Sequence, residues 1–188
     1  MTHTRRARTP PRPAQITRTP PPERSDRDFL ILLLNTDPAR LRGFESRHAP
    51  TYYALPRSKR RVIDALLQGS EQRTAPARET MLRVHATGTH HDPHTDHFVI
   101  ALARLIASPN SSGPRSDLHL TRLLTTSRAN VIPHIVTAAR LLAHDDVPFN
   151  YQTLLHDLTL YGGRTSHAWQ DLLKRHHFTP PIHPRSAP

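Results

Sequence analysis

The chain has 188 residues, room for one ordinary domain or two small ones. It contains no cysteine, which excludes disulfides and thiolate metal sites and makes a cytoplasmic address natural. With 26 Lys and Arg against 15 Asp and Glu, its formal charge of +11 attracts phosphates, those of nucleic acid or of an anionic membrane. No apolar run approaches the ~18 residues of a membrane span, and no helix carries the basic polar face of a lipid-seeking one. The basic N-terminus has no apolar stretch before Phe29, so no secretory signal is expected. Nucleic acid is the favoured partner, and no membrane is expected. Lys59 and Lys174 are the only lysines, a bias that explains the choice of Arg over Lys but not the excess of bases over acids.

Residues 1–24 mix arginines (Arg5, Arg6, Arg8, Arg12, Arg18) with prolines and bury too little apolar area to offset ordering, so they read as a disordered basic arm. Asp26 can cap a first helix through Phe29, Leu30, Leu32, Leu33 and Leu34. Asp37-Pro38 then restarts the chain, with Asp37 as N-cap of a short helix bearing Arg40, Leu41, Arg42 and Phe44. Tyr52 and Tyr53, near arginines, are candidates for stacking on bases, or packing residues. Ser58 to Leu67 reads as a basic amphipathic helix with Val62, Ile63, Leu66 and Leu67 inward. Lys59, Arg60 and Arg61 at its start oppose the helix dipole. Ala77 to His85 is a weakly patterned helix.

The segment holding His85, His90, His91, Asp92, His94, Asp96 and His97 has the side chains of a divalent-metal site. His91-Asp92 is also the doublet of HD metal phosphohydrolases. Pro93 places that doublet at a loop or helix boundary rather than on a helix, and no spaced His and Asp partners complete the motif. A solvated loop is the preferred reading.

Phe98 to Ala107 is apolar throughout and predicts a central buried helix, followed by a linker from Ser108 to Pro114. Ser116 or Asp117 caps the next helix, with Leu120, Leu123 and Leu124 inward and Arg122 and Arg128 left near the exposed side. A further helix begins close to Pro133, its stripe formed by Ile132, Ile135, Val136, Ala139, Leu142 and Ala143. Arg140 sits at the edge of that stripe, where its stem packs while its guanidinium reaches the surface. Nothing acidic lies at i±3 or i±4, a setting that suits a phosphate. Asn150 caps a helix with Tyr151, Leu154, Leu155, Leu158 and Tyr161 on one face. Gly162-Gly163 stops it, and Ala168, Trp169, Leu172 and Leu173 form the last amphipathic run.

ARLL at 139–142, VPFNY at 147–151, LLHDLTLY at 154–161 and Trp169, preceded by DPARLRG at 37–43 and YYALP at 52–56, occur in this order. In that order they resemble the small subunit of type I-E CRISPR surveillance complexes (Cascade), the CasB family, over roughly residues 28–178. The resemblance implies a non-catalytic subunit that pairs with a second copy of itself, assembles with other Cascade subunits around CRISPR RNA, and holds target DNA. It places Arg42 and Arg140 where the family has basic residues touching nucleic-acid backbone, with Arg122 and Arg128 in the comparable helix and Arg40 beside Arg42. The chain departs from the family pattern at Ala139 and Gly43, where the family has arginines, and at Asn150, where it has aspartate.

The sequence therefore predicts an all-α protein: a disordered arm (1–24), an N-terminal helical bundle (25–108), a C-terminal helical bundle (115–179) and a disordered tail (180–188). The nucleic-acid-binding residues are Arg40, Arg42, Arg122, Arg128 and Arg140, with no cofactor, metal or catalytic residue. The alternatives are an HD-like phosphohydrolase and a stand-alone DNA-binding regulator. Against the regulator, no second helix of a short-turn pair carries base-reading residues.

Overall fold

The computed structural model describes residues 23–45, 52–108, 114–126, 128–160 and 165–178. Residues 1–22 of the arm, the linker at 109–113, Tyr161, Gly162-Gly163 and the tail, on which the sequence reading also placed features, lie outside them. The chain is all-α. Among the described residues there are eight α-helices and no strand, with a single bridge pair between His91 and Phe149.

Helix α1 (Asp26–Leu34) is capped by Ser25, whose hydroxyl accepts from the Asp28 N–H at 3.1 Å. This corrects the expectation of Asp26 as cap. Asp26 lies one residue inside, where its carboxylate pairs with Arg78 at 2.8 Å. Asp37 does cap the 3₁₀ turn Pro38–Leu41, accepting from the Ala39 N–H at 2.8 Å. A second 3₁₀ turn, Tyr52–Ala54, leads into α2 (Arg57–Leu67), which buries Ile63 and Leu66 and half-buries Val62 and Leu67.

Helix α3 (Ala75–His85) looked weakly patterned for a physical reason. It packs against α1, α2, α6 and α7, and so buries residues on almost every side. Its buried polar groups are satisfied. Arg78, 3% exposed, donates to Asp26, to Ser70 Oγ at 3.1 Å and to the Arg24 carbonyl at 2.5 Å, and lies over the Phe29 ring. A planar fork in that setting meets three acceptors that a lysine would not.

Helix α4 (Phe98–Ala107) is buried along most of its length, as its composition requires. Helix α5 (Pro114–Thr125) starts at Pro114, so Ser116 and Asp117 fall inside its first turn rather than at the cap. Proline suits a first helical position because its missing N–H has no partner there in any case. Helix α6 (Arg128–His144) begins five residues ahead of Pro133, which the sequence had placed at its start. A proline that early costs a single intrahelical bond. The inward stripe holds: Ile135, Val136, Ala139 and Leu142 are buried, and Ile132 and Ala143 half-buried.

Asn150 caps α7 (Tyr151–Leu160), accepting from the Gln152 N–H at 2.9 Å, and α8 (Thr165–Arg175) follows. Helices before and after residues 109–113 share one core, which runs from Phe29, Leu33 and Ile63 to Leu123, Ile135 and Trp169. Helix α3 packs on α6 and α7, and α4 touches each of α5 to α8.

Candidate nucleic-acid interface

The segment from Arg40 to Glu45 carries two of the predicted arginines, and a third, Arg140, reaches it from α6. Gly43 turns the chain with φ +97°, and Phe44 drops into the core at 2% exposure. That turn leaves backbone carbonyls pointing outward, and cations from separate helices take them. Lys59 of α2 donates to the Arg42 carbonyl. Arg83 of α3 donates to the Phe44 carbonyl at 3.0 Å while its guanidinium lies 4.3 Å from the centroid of the Phe44 ring. Arg140 of α6 donates through Nη2 to the Glu45 carbonyl at 2.6 Å. A small cavity lined by Glu45, Arg83, Pro133, Val136 and Arg140 lies between them.

Carbonyl oxygens neutralise no charge, so Lys59 and Arg140 keep a positive field around the turn, whereas Arg83 is also paired with a carboxylate, that of Glu79. Glu45 is the acid within it, and its Oε2 accepts from the Gly43 N–H at 2.6 Å. Among the described residues, Arg40, Arg42, Arg122 and Arg140 are exposed and form no ion pair. Arg42 and Arg140 are thus brought to one short segment. Arg40 instead lines a groove between α1 and α2, and Arg122 lies on α5, which packs on α6. Arg128 opens α6, and its side chain lies outside the described residues. Sequence reasoning missed Arg83. Its i,i+4 pairing with Glu79 (2.8 Å) was readable, but its reach to Phe44, 39 residues away, was not.

Tyr52 donates its hydroxyl to Asp64, a bond that raises it above the ordinary tyrosine range. Tyr53 packs edge-on against it at 5.4 Å and stays 78% exposed.

The histidine-rich segment is solvated only in part: His90 and His94 are exposed, while the other histidines are held in place. His85, 5% exposed, donates through Nε2 to the Thr36 carbonyl at 2.7 Å. His91 Nδ1 accepts from the Tyr151 N–H at 3.1 Å and so helps cap α7, while Asp92 Oδ1 accepts from the His94 N–H at 2.9 Å. His97 Nδ1 accepts from the Val99 N–H at 3.3 Å at the start of α4, and its other nitrogen reaches Asp157 at 2.7 Å. Asp96 pairs with Arg104. These side chains satisfy helix ends and neighbouring polar groups. Among the described residues, no group of three or more His, Asp or Glu is arranged to hold a metal ion. No helix there is long and apolar enough to cross a membrane.

A family model for CRISPR-associated protein Cse2 matches residues 37–175, most of the chain. The chain belongs to the Cse2 family. This is the Cascade small-subunit family named by the sequence resemblance, and membership makes the protein a subunit of a CRISPR Cascade complex. No curated protein and no solved structure matches it. The matched span opens at Asp37, the cap of the 3₁₀ turn, and takes in all five predicted arginines. Helix α1 falls outside it.

Proposed function

We propose that the protein is a non-catalytic small subunit of a type I-E Cascade, cytoplasmic and paired with a second copy. In that complex its basic face holds the opened target DNA, chiefly the displaced strand, and stabilises the R-loop. The observation that supports this most is the reach of Arg140 to the turn that carries Arg42, neither of them paired with an acid among the described residues, beside Lys59. Charges held by carbonyl contacts, as at Arg140 and Lys59, are pre-positioned for phosphates. Arg122 and Arg128, on the adjoining helices α5 and α6, extend the same reading. Phosphate neutralisation carries no sequence information, and pairing with the guide RNA supplies it.

The test is DNA binding by the assembled complex across a salt series, with Arg42→Ala, Arg122→Ala and Arg140→Ala combined. Affinity is expected to fall, and the slope of log affinity against log salt to shrink by about 0.7–0.9 for each phosphate no longer neutralised. An unchanged affinity and slope would reject the basic face.

A further inference from the structure

Helix α1 buries Phe29, Leu30 and Leu33 yet leaves Ile31, Leu32 and Leu34 48%, 40% and 41% exposed. Aliphatic side chains crowded on the outside of so short a helix mark a docking surface more than a solvated one. Of the three, Leu32 lines a groove whose other wall is α2, where Val62 and Leu66 also line it. Arg24, Arg40 and Arg61 line the same groove, and no acidic residue does. Arg24 donates to the carbonyls of Ala65 and Leu66 at 3.1 and 3.2 Å and keeps its charge. The side chains of Arg40 and Arg61 form no ion pair among the described residues.

We propose that the groove between α1 and α2 docks an acidic, apolar-anchored segment of a partner protein in the complex. Such a segment meets both demands of the groove at once. Its Leu or Ile side chains cover the aliphatic lining, and its carboxylates take the guanidinium forks of Arg40 and Arg61. Residues 1–22 of the chain itself are a poor occupant, because they carry Arg5, Arg6, Arg8, Arg12 and Arg18 and no acid. Nucleic acid uses the cations but not the aliphatic lining, and no aromatic ring lines the groove for a base to stack on. The inference rests on membership of a multi-subunit complex and not on the DNA-holding reading.

The full chain is assembled with its complex after Ser58, on the groove wall, is replaced by a photoreactive benzophenone residue, and the cross-linked peptide is identified. The expected product joins Ser58's position to another subunit, at a segment with Asp or Glu within one helical turn of Leu or Ile. Arg40→Glu with Arg61→Glu is then expected to lower incorporation affinity by about tenfold. Lysine placed at the partner's acid should restore it. The milder Arg40→Ala, Arg61→Ala pair gives a smaller loss in the same direction, with an unchanged thermal midpoint to establish that the chain folds. Cross-links to nucleic acid, to a second copy of this chain, to a segment without acids or to nothing would overturn the proposal. So would charge reversal that lowers DNA affinity while incorporation holds, which would make the groove a phosphate site.

Discussion

The indole N–H of Trp169 donates to Asp157 Oδ2 at 2.5 Å, a bond that ties α8 to α7 inside the core. The same oxygen takes His97 Nε2 at 2.7 Å. Because His97 Nδ1 accepts from the Val99 N–H, the ring proton must sit on Nε2, so Asp157 receives two donors. Asp157 is 8% exposed and Trp169 fully buried. A carboxylate on α7 therefore fastens the start of α4 and the middle of α8 to one point, and α4 is the helix that touches every member of the C-terminal half.

Removing that acceptor leaves the buried indole N–H and the half-buried imidazole N–H unpaired. Asp157→Ala is expected to cost about 2–4 kcal/mol. Asp157→Asn keeps an acceptor oxygen and should cost clearly less. Urea unfolding of the two variants beside the parent decides it. Equal losses would mean that the Trp169 and His97 bonds contribute little beyond packing.

Trp169 and Leu158 were legible in the sequence as scaffold, because their spacing fits a helical face, whereas nothing in the spacing marked Asp157. His97 was not legible either, since periodicity reads one element at a time and its partner lies 60 residues away. Histidine is also an uncommon cap beside Ser, Thr, Asp and Asn, so a dense run of imidazoles read as a solvated loop rather than as a set of helix caps. The place of Arg140 at the edge of the α6 stripe followed from helical spacing, whereas its bond to the Glu45 carbonyl, 95 residues away, is a product of the tertiary fold. The start of α6 was misplaced for a local reason. Proline is commonest at a first helical position, yet at 133 it sits inside the helix.

The buried histidines make stability depend on pH. Burial pushes His85 below the ordinary histidine value of 6.5, against weaker opposing effects of the Thr36 carbonyl and Asp37. Its other nitrogen, Nδ1, faces the Tyr151 hydroxyl at 3.5 Å, and burial holds that hydroxyl above the ordinary tyrosine range, so it stays neutral. Burial lowers His91 in the same direction. As pH falls below 6.5, the unfolded chain takes up the His85 proton before the folded one does. The stabilisation is complete above 6.5 and is lost as pH drops from there through the lowered folded value. The urea midpoint of the parent should therefore fall between pH about 7 and about 5. The midpoint of His85→Gln should fall less, His91 supplying the remaining slope. Parallel pH profiles would show that His85 titrates alike in both states.

Gly43 lies next to Arg42, and substitution there separates backbone demand from charge. Its φ of +97° is a conformation that side chains disfavour, while a Cβ would meet only Leu55 Cδ2, at an ordinary 3.8 Å. Space is not the obstacle; the backbone is. Gly43→Ala and Gly43→Arg are accordingly expected to lose similar stability, about 1–2 kcal/mol each. Gly43→Asn should lose less, since asparagine tolerates positive φ better than most residues. Thermal or urea unfolding reads the order directly. The turn also aims the Arg42, Phe44 and Glu45 carbonyls at Lys59, Arg83 and Arg140, so straightening it should disperse the cations gathered there. If Gly43→Arg instead kept full stability and raised DNA affinity and salt slope, the left-handed turn would not be needed to position Arg42.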